Sequence, residues 1–120
     1  MSRLVFATST EVLRVPADAV VYVTADGNYS ALTTADGEDY VLTMQLGQIE
    51  RRLAEVLNSE DNRFIRIGKS LIVNRDYITF INPTRQKLLL SDCRTFRREV
   101  SASKDALREL KDYVEKEVQK

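Results

Sequence analysis

The chain has 120 residues, 43% of them hydrophobic, and a formal net charge of zero, which predicts one soluble domain with a single core over residues 1–120. It has no histidine and one cysteine, Cys93, which excludes a Ser-His-Asp triad, a Cys-His pair, the usual zinc sites and an internal disulfide. We therefore expect no enzyme and no cofactor, and, since no apolar run suits a membrane span or signal peptide, a cytoplasmic protein.

The first third of the chain has the pattern of a β-meander. Short runs rich in β-branched residues predict strands over residues 4–7, 12–15, 20–24, 29–34 and 38–42. Turn signals separate the last three, at residues 25–28 and 35–37. The carboxylate pairs Glu38/Asp39 and Glu60/Asp61 stand beside turn residues and are best explained as solvated charge.

The hydrophobic period then changes twice. A period of 3.6 predicts a helix over residues 44–57, with Thr43 as its cap. After a polar loop at residues 58–63, strands are predicted over residues 64–67, 71–73, 77–82, 87–91 and 95–100, with a turn at Asn82-Pro83. An amphipathic helix is predicted over residues 103–119, with Ser103 as N-cap. Its apolar stripe consists of Ala106, Leu107, Leu110, Tyr113, Val114 and Val118.

The charges are unevenly distributed along the chain. Residues 1–62 hold 4 basic and 10 acidic side chains, residues 63–104 hold 10 and 3, and residues 105–120 hold 4 and 5. The middle block therefore carries +7. Such a block predicts an anion-binding face on an acidic body, which suits a nucleic acid, although a solvated charged face is the alternative.

Two segments of this basic block have the composition of anion-binding loops. Gly68, Lys69 and Ser70 interrupt two apolar strands, and they offer close backbone approach, a mobile cation and a hydroxyl group. Ser101, Ser103 and Lys104 stand at the start of the last helix, where a helix N-terminus favours a phosphate group. The alternative for Ser103 is that it only caps the helix.

An ordered set of motifs over roughly residues 10–110 resembles the LytTR family of bacterial DNA-binding domains. The sharpest is residues 66–74, RIGKSLIVN, which is similar to the family's Arg-x-His-x-Ser-x-x-Val-Asn signature. The other motifs, in order, are Val20-Val21-Tyr22-Val23, Gly27-Asn28-Tyr29, Leu46…Leu53…Leu57, Ile78…Ile81 and Val100-Ser101. The resemblance implies a mainly β, elongated fold of small antiparallel sheets with flanking helices. It also implies transcriptional regulation, with loops inserted into successive major grooves of duplex DNA.

Two positions depart from the family pattern and leave part of the direct readout in doubt. Gly68 stands where a histidine is common, and Ala102 stands where a basic residue often follows the Val-Ser pair.

The resemblance and the charge pattern together give a set of candidate DNA contacts. We expect Lys69 to contact DNA. Tyr29 lies in the first DNA-facing loop or packs in the core, Arg66 reaches phosphate or pairs with a carboxylate, and Asn74 contacts DNA or forms a local cap. For the cluster of Arg94, Arg97 and Arg98, phosphate contact is favoured over base contact. The full set of candidates is Asn28, Tyr29, Arg66, Lys69, Ser70, Asn74, Arg75, Arg97, Arg98, Ser101, Ser103 and Lys104.

Partners other than double-stranded DNA remain open. Most LytTR domains resemble output modules that are attached to a receiver domain, and this sequence has no room for a receiver before the motif. We therefore expect one of two arrangements. The chain is a stand-alone regulator that receives its signal from a separate protein, or it is an excised output domain. The stripe of the last helix packs on the sheet or serves a homodimer on DNA. The rival functions are a protein-interaction module that modulates another regulator and a single-strand or RNA binder, which needs aromatic platforms.

Overall fold

The computed structural model describes residues 3–57 and 62–118, which form three small antiparallel sheets and two helices. A hairpin of β1 and β2 forms the first sheet, β5-β4-β3-β7-β6 the second, and β10-β9-β8 the third. The strands are β1 (Arg3–Ala7), β2 (Val12–Pro16), β3 (Val20–Asp26), β4 (Tyr29–Thr34), β5 (Asp39–Leu42), β6 (Phe64–Ile67), β7 (Leu71–Asn74), β8 (Ile78–Asn82), β9 (Lys87–Ser91) and β10 (Arg97–Ser101). The helices are α1 (Leu46–Val56) and α2 (Lys104–Val118). The mainly β fold predicted from the sequence is confirmed.

The five-stranded sheet forms the middle layer because its interior strand β7 is buried on both faces. Every residue of β7 is buried, and successive side chains of a strand point to opposite faces. Ile72 packs into a core with α1 and the β1–β2 hairpin, whereas Leu71 and Val73 pack into a second core with β9 and α2. The three-stranded sheet and α2 therefore share one side of the middle layer.

Helix α1 begins later than the sequence predicts. Its N-cap is Gln45, whose backbone N–H donates to Oε1 of Gln48 at 2.9 Å. This bond satisfies a donor at the helix start, so the prediction that Thr43 caps the helix is wrong. The helix buries its predicted face through Leu46, Ile49 and Leu53.

Helix α2 packs on its own chain. Leu107 and Leu110 are fully buried in the second core, which favours the predicted packing on the sheet over a second protomer. The cap prediction is confirmed, since the Ser103 hydroxyl oxygen accepts a hydrogen bond from the Ala106 N–H at 3.1 Å. Within the predicted stripe, Tyr113 is 44% exposed and Val114 is partly buried.

The overall dimensions are 41 × 30 × 27 Å, so the elongation implied by the resemblance is modest. Within residues 3–57 and 62–118, neither helix has the length and apolar content that crossing a membrane requires. The predicted loop at residues 58–63 and the Glu60/Asp61 pair lie wholly or partly outside the described residues, as does the side chain of Val118.

Candidate nucleic-acid interface

Two of the predicted loops are neighbours because β3 and β7 pair antiparallel. Thr24 stands opposite Leu71 in the register, and the Ala25 N–H donates to the carbonyl oxygen of Ser70 at 3.0 Å. The β3–β4 turn at Gly27-Asn28 and the β6–β7 loop at residues 68–70 therefore lie side by side at the same end of the sheet.

The segment between β10 and α2 lies close to these two loops. A shallow cleft of about 300 Å³ lies between this segment and the strand ends from which the loops leave. One face of this cleft comes from the ends of β3, β6 and β7, and the other comes from the end of β10 and the start of α2. Its lining consists of Thr24, Ala25, Ile67, Ser70, Leu71, Val100, Ser101, Ala102, Ser103 and Ala106. The two anion-binding segments predicted from the sequence, 34 residues apart at Ser70 and Lys104, thus converge. We call the β3–β4 turn, residues 68–70 and residues 101–104 the loop edge.

The β6–β7 loop presents a cation to solvent. Lys69 and Ser70 are exposed, and the structure shows no hydrogen bond or ion pair between the Lys69 side chain and the described residues. Gly68 has a φ of +59° and open space where a Cβ atom would stand, so the left-handed backbone and not crowding favours glycine here. Glycine therefore fits the backbone at the place where the pattern that the chain resembles has a histidine.

The β3–β4 turn also faces outward. Gly27 has a φ of +62° at the first position of a two-residue loop, as type II′ turns require. The Oδ1 atom of Asn28 accepts a bond from Nε2 of Gln45 at 3.4 Å, near the limit of a hydrogen bond. Tyr29 is 49% exposed, so the alternative that its ring packs in the core is wrong.

Ser101, Ser103 and Lys104 are exposed at the entrance of the cleft or beside it. Ser103 uses its hydroxyl oxygen as the helix cap, which leaves the hydroxyl proton free to donate. A cap and a phosphate contact are therefore compatible at this residue.

The structure does not support the predicted DNA contacts of two residues at the other end of β7. Asn74 is fully buried; its Nδ2 donates to the Val20 carbonyl at 2.8 Å and its Oδ1 accepts from the Asp76 N–H at 3.0 Å. With both polar atoms bonded inside the protein, it cannot contact DNA. Arg75 pairs with Glu117 and donates to the Asn62 carbonyl at 3.0 Å, so its guanidinium ties the end of α2 to the sheet instead.

The structure gives Arg98 a different role from the expected phosphate contact, because its guanidinium joins two sheets. Its Nη1 donates to Oδ1 of Asp39 at 2.7 Å and lies 3.3 Å from the hydroxyl oxygens of Tyr22 and Thr33. A hydrogen bond from Thr33 lowers the pKa of Asp39 from its ordinary value; burial opposes this shift, and the hydrogen bond and charge of Arg98 add to it. Asp39 is therefore a structural partner as well as a surface charge, and the Arg98 guanidinium is bonded within the protein in this structure.

Arg66 and Arg97 have different surroundings from the loop-edge residues. Arg66 pairs with Glu50 of α1 at 2.7 Å and donates through Nε to the Gly68 carbonyl at 3.1 Å. This geometry favours the carboxylate alternative and supports the loop that carries Lys69. Arg97 is exposed at the start of β10, four residues or about 13 Å from Ser101, and phosphate contact there stays a prediction.

The sequence analysis missed the β8–β9 turn at residues 83–86. Lys87 stands opposite Ser101 in the β9–β10 register, so this turn lies at the same end of the three-stranded sheet as the loop edge. It carries exposed Arg85 and Gln86. The Asn82-Pro83 turn signal could have placed Arg85 in a loop, but only the register shows which end of the molecule that loop shares.

Comparison with protein families identifies the family of the chain. The family model of the LytTr DNA-binding domain matches residues 10–115. The chain belongs to the LytTR family of DNA-binding domains. The matched range is close to the range predicted from the motifs, and membership supports DNA binding in transcription regulation, in a family that is not one of enzymes.

A solved LytTR structure shares the fold. It is the LytTr DNA-binding domain of a Bacillus cereus protein assigned as a methyl-accepting/DNA response regulator, with a TM-score of 0.62 and 23% sequence identity over 95% of this chain and 97% of that one. No curated protein matches the chain significantly.

Proposed function

We propose that this LytTR domain regulates transcription by sequence-specific binding of duplex DNA, with the connections of the loop edge inserted into major grooves. The observation that carries the proposal is the convergence of the Lys69 loop and residues 101–104 on one cleft. Segments far apart in the sequence meet where an exposed lysine, three serines and a helix N-terminus face solvent. This is the composition that binds a phosphate backbone and the bases beside it.

The residues of the loop edge divide into base-reading and phosphate-binding roles. Lys69 projects from a loop between strands, and a lysine in a major groove can donate to O6 and N7 of guanine. Lys104 and the hydroxyls of Ser101 and Ser103 lie at the N-terminus of α2, where the helix dipole favours a phosphate. Asn28 and Tyr29, in the β3–β4 turn and at the start of β4, project beside Ser70, and in this proposal they contact the same duplex.

Duplex DNA is favoured over single strands by the scarcity of aromatic rings. Proteins that bind single strands stack bases on several exposed aromatic side chains. None of the described residues of the loop edge is aromatic, and the neighbouring aromatic residue is Tyr29, at the start of β4. Single-strand binding would therefore depend on one platform, whereas the cations and hydroxyls suit a backbone of regular phosphates.

The salt dependence of DNA binding tests this proposal. The chain is titrated with a duplex selected from a randomised library and with a scrambled duplex, each at several salt concentrations. We expect tighter binding to the selected duplex, and a fall of log affinity with log salt of about 0.9 per phosphate contacted. Absence of binding, or affinity independent of salt, would contradict the proposal and would favour a protein-interaction module.

A further inference from the structure

The β8–β9 turn carries a cation that the loop edge does not include. Arg85 is exposed, and the structure shows no hydrogen bond or ion pair between its guanidinium and the described residues. Its backbone is fixed, since its N–H donates to Oδ1 of Asn82 at 3.1 Å and the Gln86 N–H donates to the Pro83 carbonyl at 3.1 Å. A rigid turn thus presents a free guanidinium to solvent.

A side-chain contact links this turn to the start of α2. Gln86 has a φ of +56°, a left-handed conformation that is uncommon for residues other than glycine. Its Nε2 lies 3.5 Å from the Ala102 carbonyl oxygen, and Ala102 lines the cleft of the loop edge. The turn therefore sits directly beside residues 101–104, with Arg85 next to Gln86.

Charge balance distinguishes Arg85 from its basic neighbour. Lys87 lies 3.8 Å from Glu99 across the β9–β10 pair, so a carboxylate already partly neutralises it. No such partner is described for Arg85. A guanidinium without a carboxylate, on a rigid turn beside a phosphate-binding helix start, is suited to a second phosphate.

We infer that Arg85 clamps a phosphate of the duplex bound at the loop edge, which extends the interface from the five-stranded sheet onto the three-stranded sheet. This inference rests on the proposed function. Because a phosphate carries no sequence information, Arg85 contributes affinity to any duplex and does not contribute to discrimination between sequences.

Arg94 provides a matched control. From the sequence it is grouped with Arg97 and Arg98 as a phosphate contact, but the structure places it at the end of the three-stranded sheet that lies away from the loop edge. It is an exposed arginine in the β9–β10 turn, at the opposite end of the same sheet, and its N–H donates to Oδ1 of Asp92 at 2.9 Å. Arg85 and Arg94 thus share residue type, exposure and a turn held by an Asn or Asp side chain. They differ in the end of the sheet that they occupy.

The experiment compares Arg85→Ala and Arg94→Ala in titrations of the selected and scrambled duplexes over a salt series. We expect Arg85→Ala to weaken both duplexes by about fivefold at ~0.15 M salt and to reduce the salt slope by about one, because one phosphate contact is lost. Arg94→Ala should leave affinity and slope unchanged. Arg85→Lys should keep the slope, since it keeps the charge.

Three results would overturn the inference. The first is an unchanged affinity of Arg85→Ala for both duplexes. The second is an equal loss of affinity in Arg85→Ala and Arg94→Ala, which would indicate a general charge effect. The third is a loss confined to the selected duplex, which would indicate a base contact. A thermal unfolding midpoint equal to wild type excludes a folding defect. If the wild type binds no duplex, the proposed function itself fails, and that result is distinct from all three.

Discussion

At the scale of single residues, a nearby carboxylate decides whether a cation of the basic block faces the protein or the solvent. Arg98 lies against Asp39, and Arg75 lies against Glu117. Lys69 has no carboxylate partner among the described residues. The sequence shows ten basic residues in this block, but their partners come from elements far away in the chain, so the pattern alone could not separate structural from DNA-facing cations.

Lys69 is the residue whose loss should change sequence preference. We expect Lys69→Ala to weaken binding of the selected duplex by about 1 to 3 kcal/mol and to spare the scrambled duplex, because base contacts discriminate on that scale. Lys104→Ala, at the helix start, should weaken both duplexes alike. Equal losses for both duplexes in Lys69→Ala would make this lysine a phosphate contact and would move base reading to Tyr29 or residues 101–104.

Asp39 gives a pH-dependent test of the link between the sheets. Its pKa is lowered from 3.8 by Thr33 and Arg98, so its stabilising effect is complete above the unfolded pKa and is lost as the pH falls through the folded pKa. We expect Asp39→Asn to lower the free energy of unfolding by about 1 kcal/mol at neutral pH, a value limited by partial exposure of the pair.

The difference between wild type and Asp39→Asn should shrink as the pH falls below about 4, because Asp39 is protonated first in the unfolded chain and only at lower pH in the folded protein. Urea unfolding over the pH range in which both proteins fold measures this difference. The lowered pKa values of Asp36 and Asp92 occur in both proteins and cancel. A difference that stays constant with pH would show that the charge of Asp39 does not stabilise the fold.

At the scale of elements, the spacing of the hydrophobic residues along the chain predicted nearly every strand and helix, because each element buries one regular face. The alternation in β1 and the continuous apolar run of β7 gave the correct strands. The errors concern features that period does not encode. Whether Thr43 or Gln45 caps α1 depends on one side-chain bond, and the exposure of Tyr29 depends on a turn that leaves the sheet.

Helix α2 should be needed for folding of the monomer. Leu110 is fully buried, so Leu110→Ala should lower the free energy of unfolding by about 2 to 5 kcal/mol, and Leu110→Asp by more, because it places a charge in the core. Tyr113→Ala, at a 44% exposed position of the same helix, should cost much less. Unfolding by denaturant, with the oligomeric state measured by light scattering, makes this comparison.

Equal stability of Leu110→Asp and wild type would show that the stripe is not part of the core. Loss of a dimer without loss of stability would instead assign the stripe to a second protomer.

At the scale of the whole molecule, the antiparallel topology determines at which end of a sheet each basic residue lies. Each hairpin reverses the chain, so Arg85 and Arg97 lie at opposite ends of one sheet although they are close in sequence, whereas Ser70 and Ser103 line one cleft. The family signature predicted a DNA contact for the Lys69 loop, which the proposed function adopts. It could not predict that the β8–β9 turn would join the loop edge, because that depends on the register of β9 and β10.

The central claim is that duplex DNA binds at the loop edge, and a backbone amide NMR titration tests it most directly. Isotope-labelled protein is titrated with the selected duplex, and shifts are mapped onto the structure. We predict the largest shifts at Asn28, Lys69, Ser70 and residues 101–104, with little change in the β9–β10 turn around Arg94. Shifts confined to that turn, or to the opposite end of β7 around Arg75, would contradict the account.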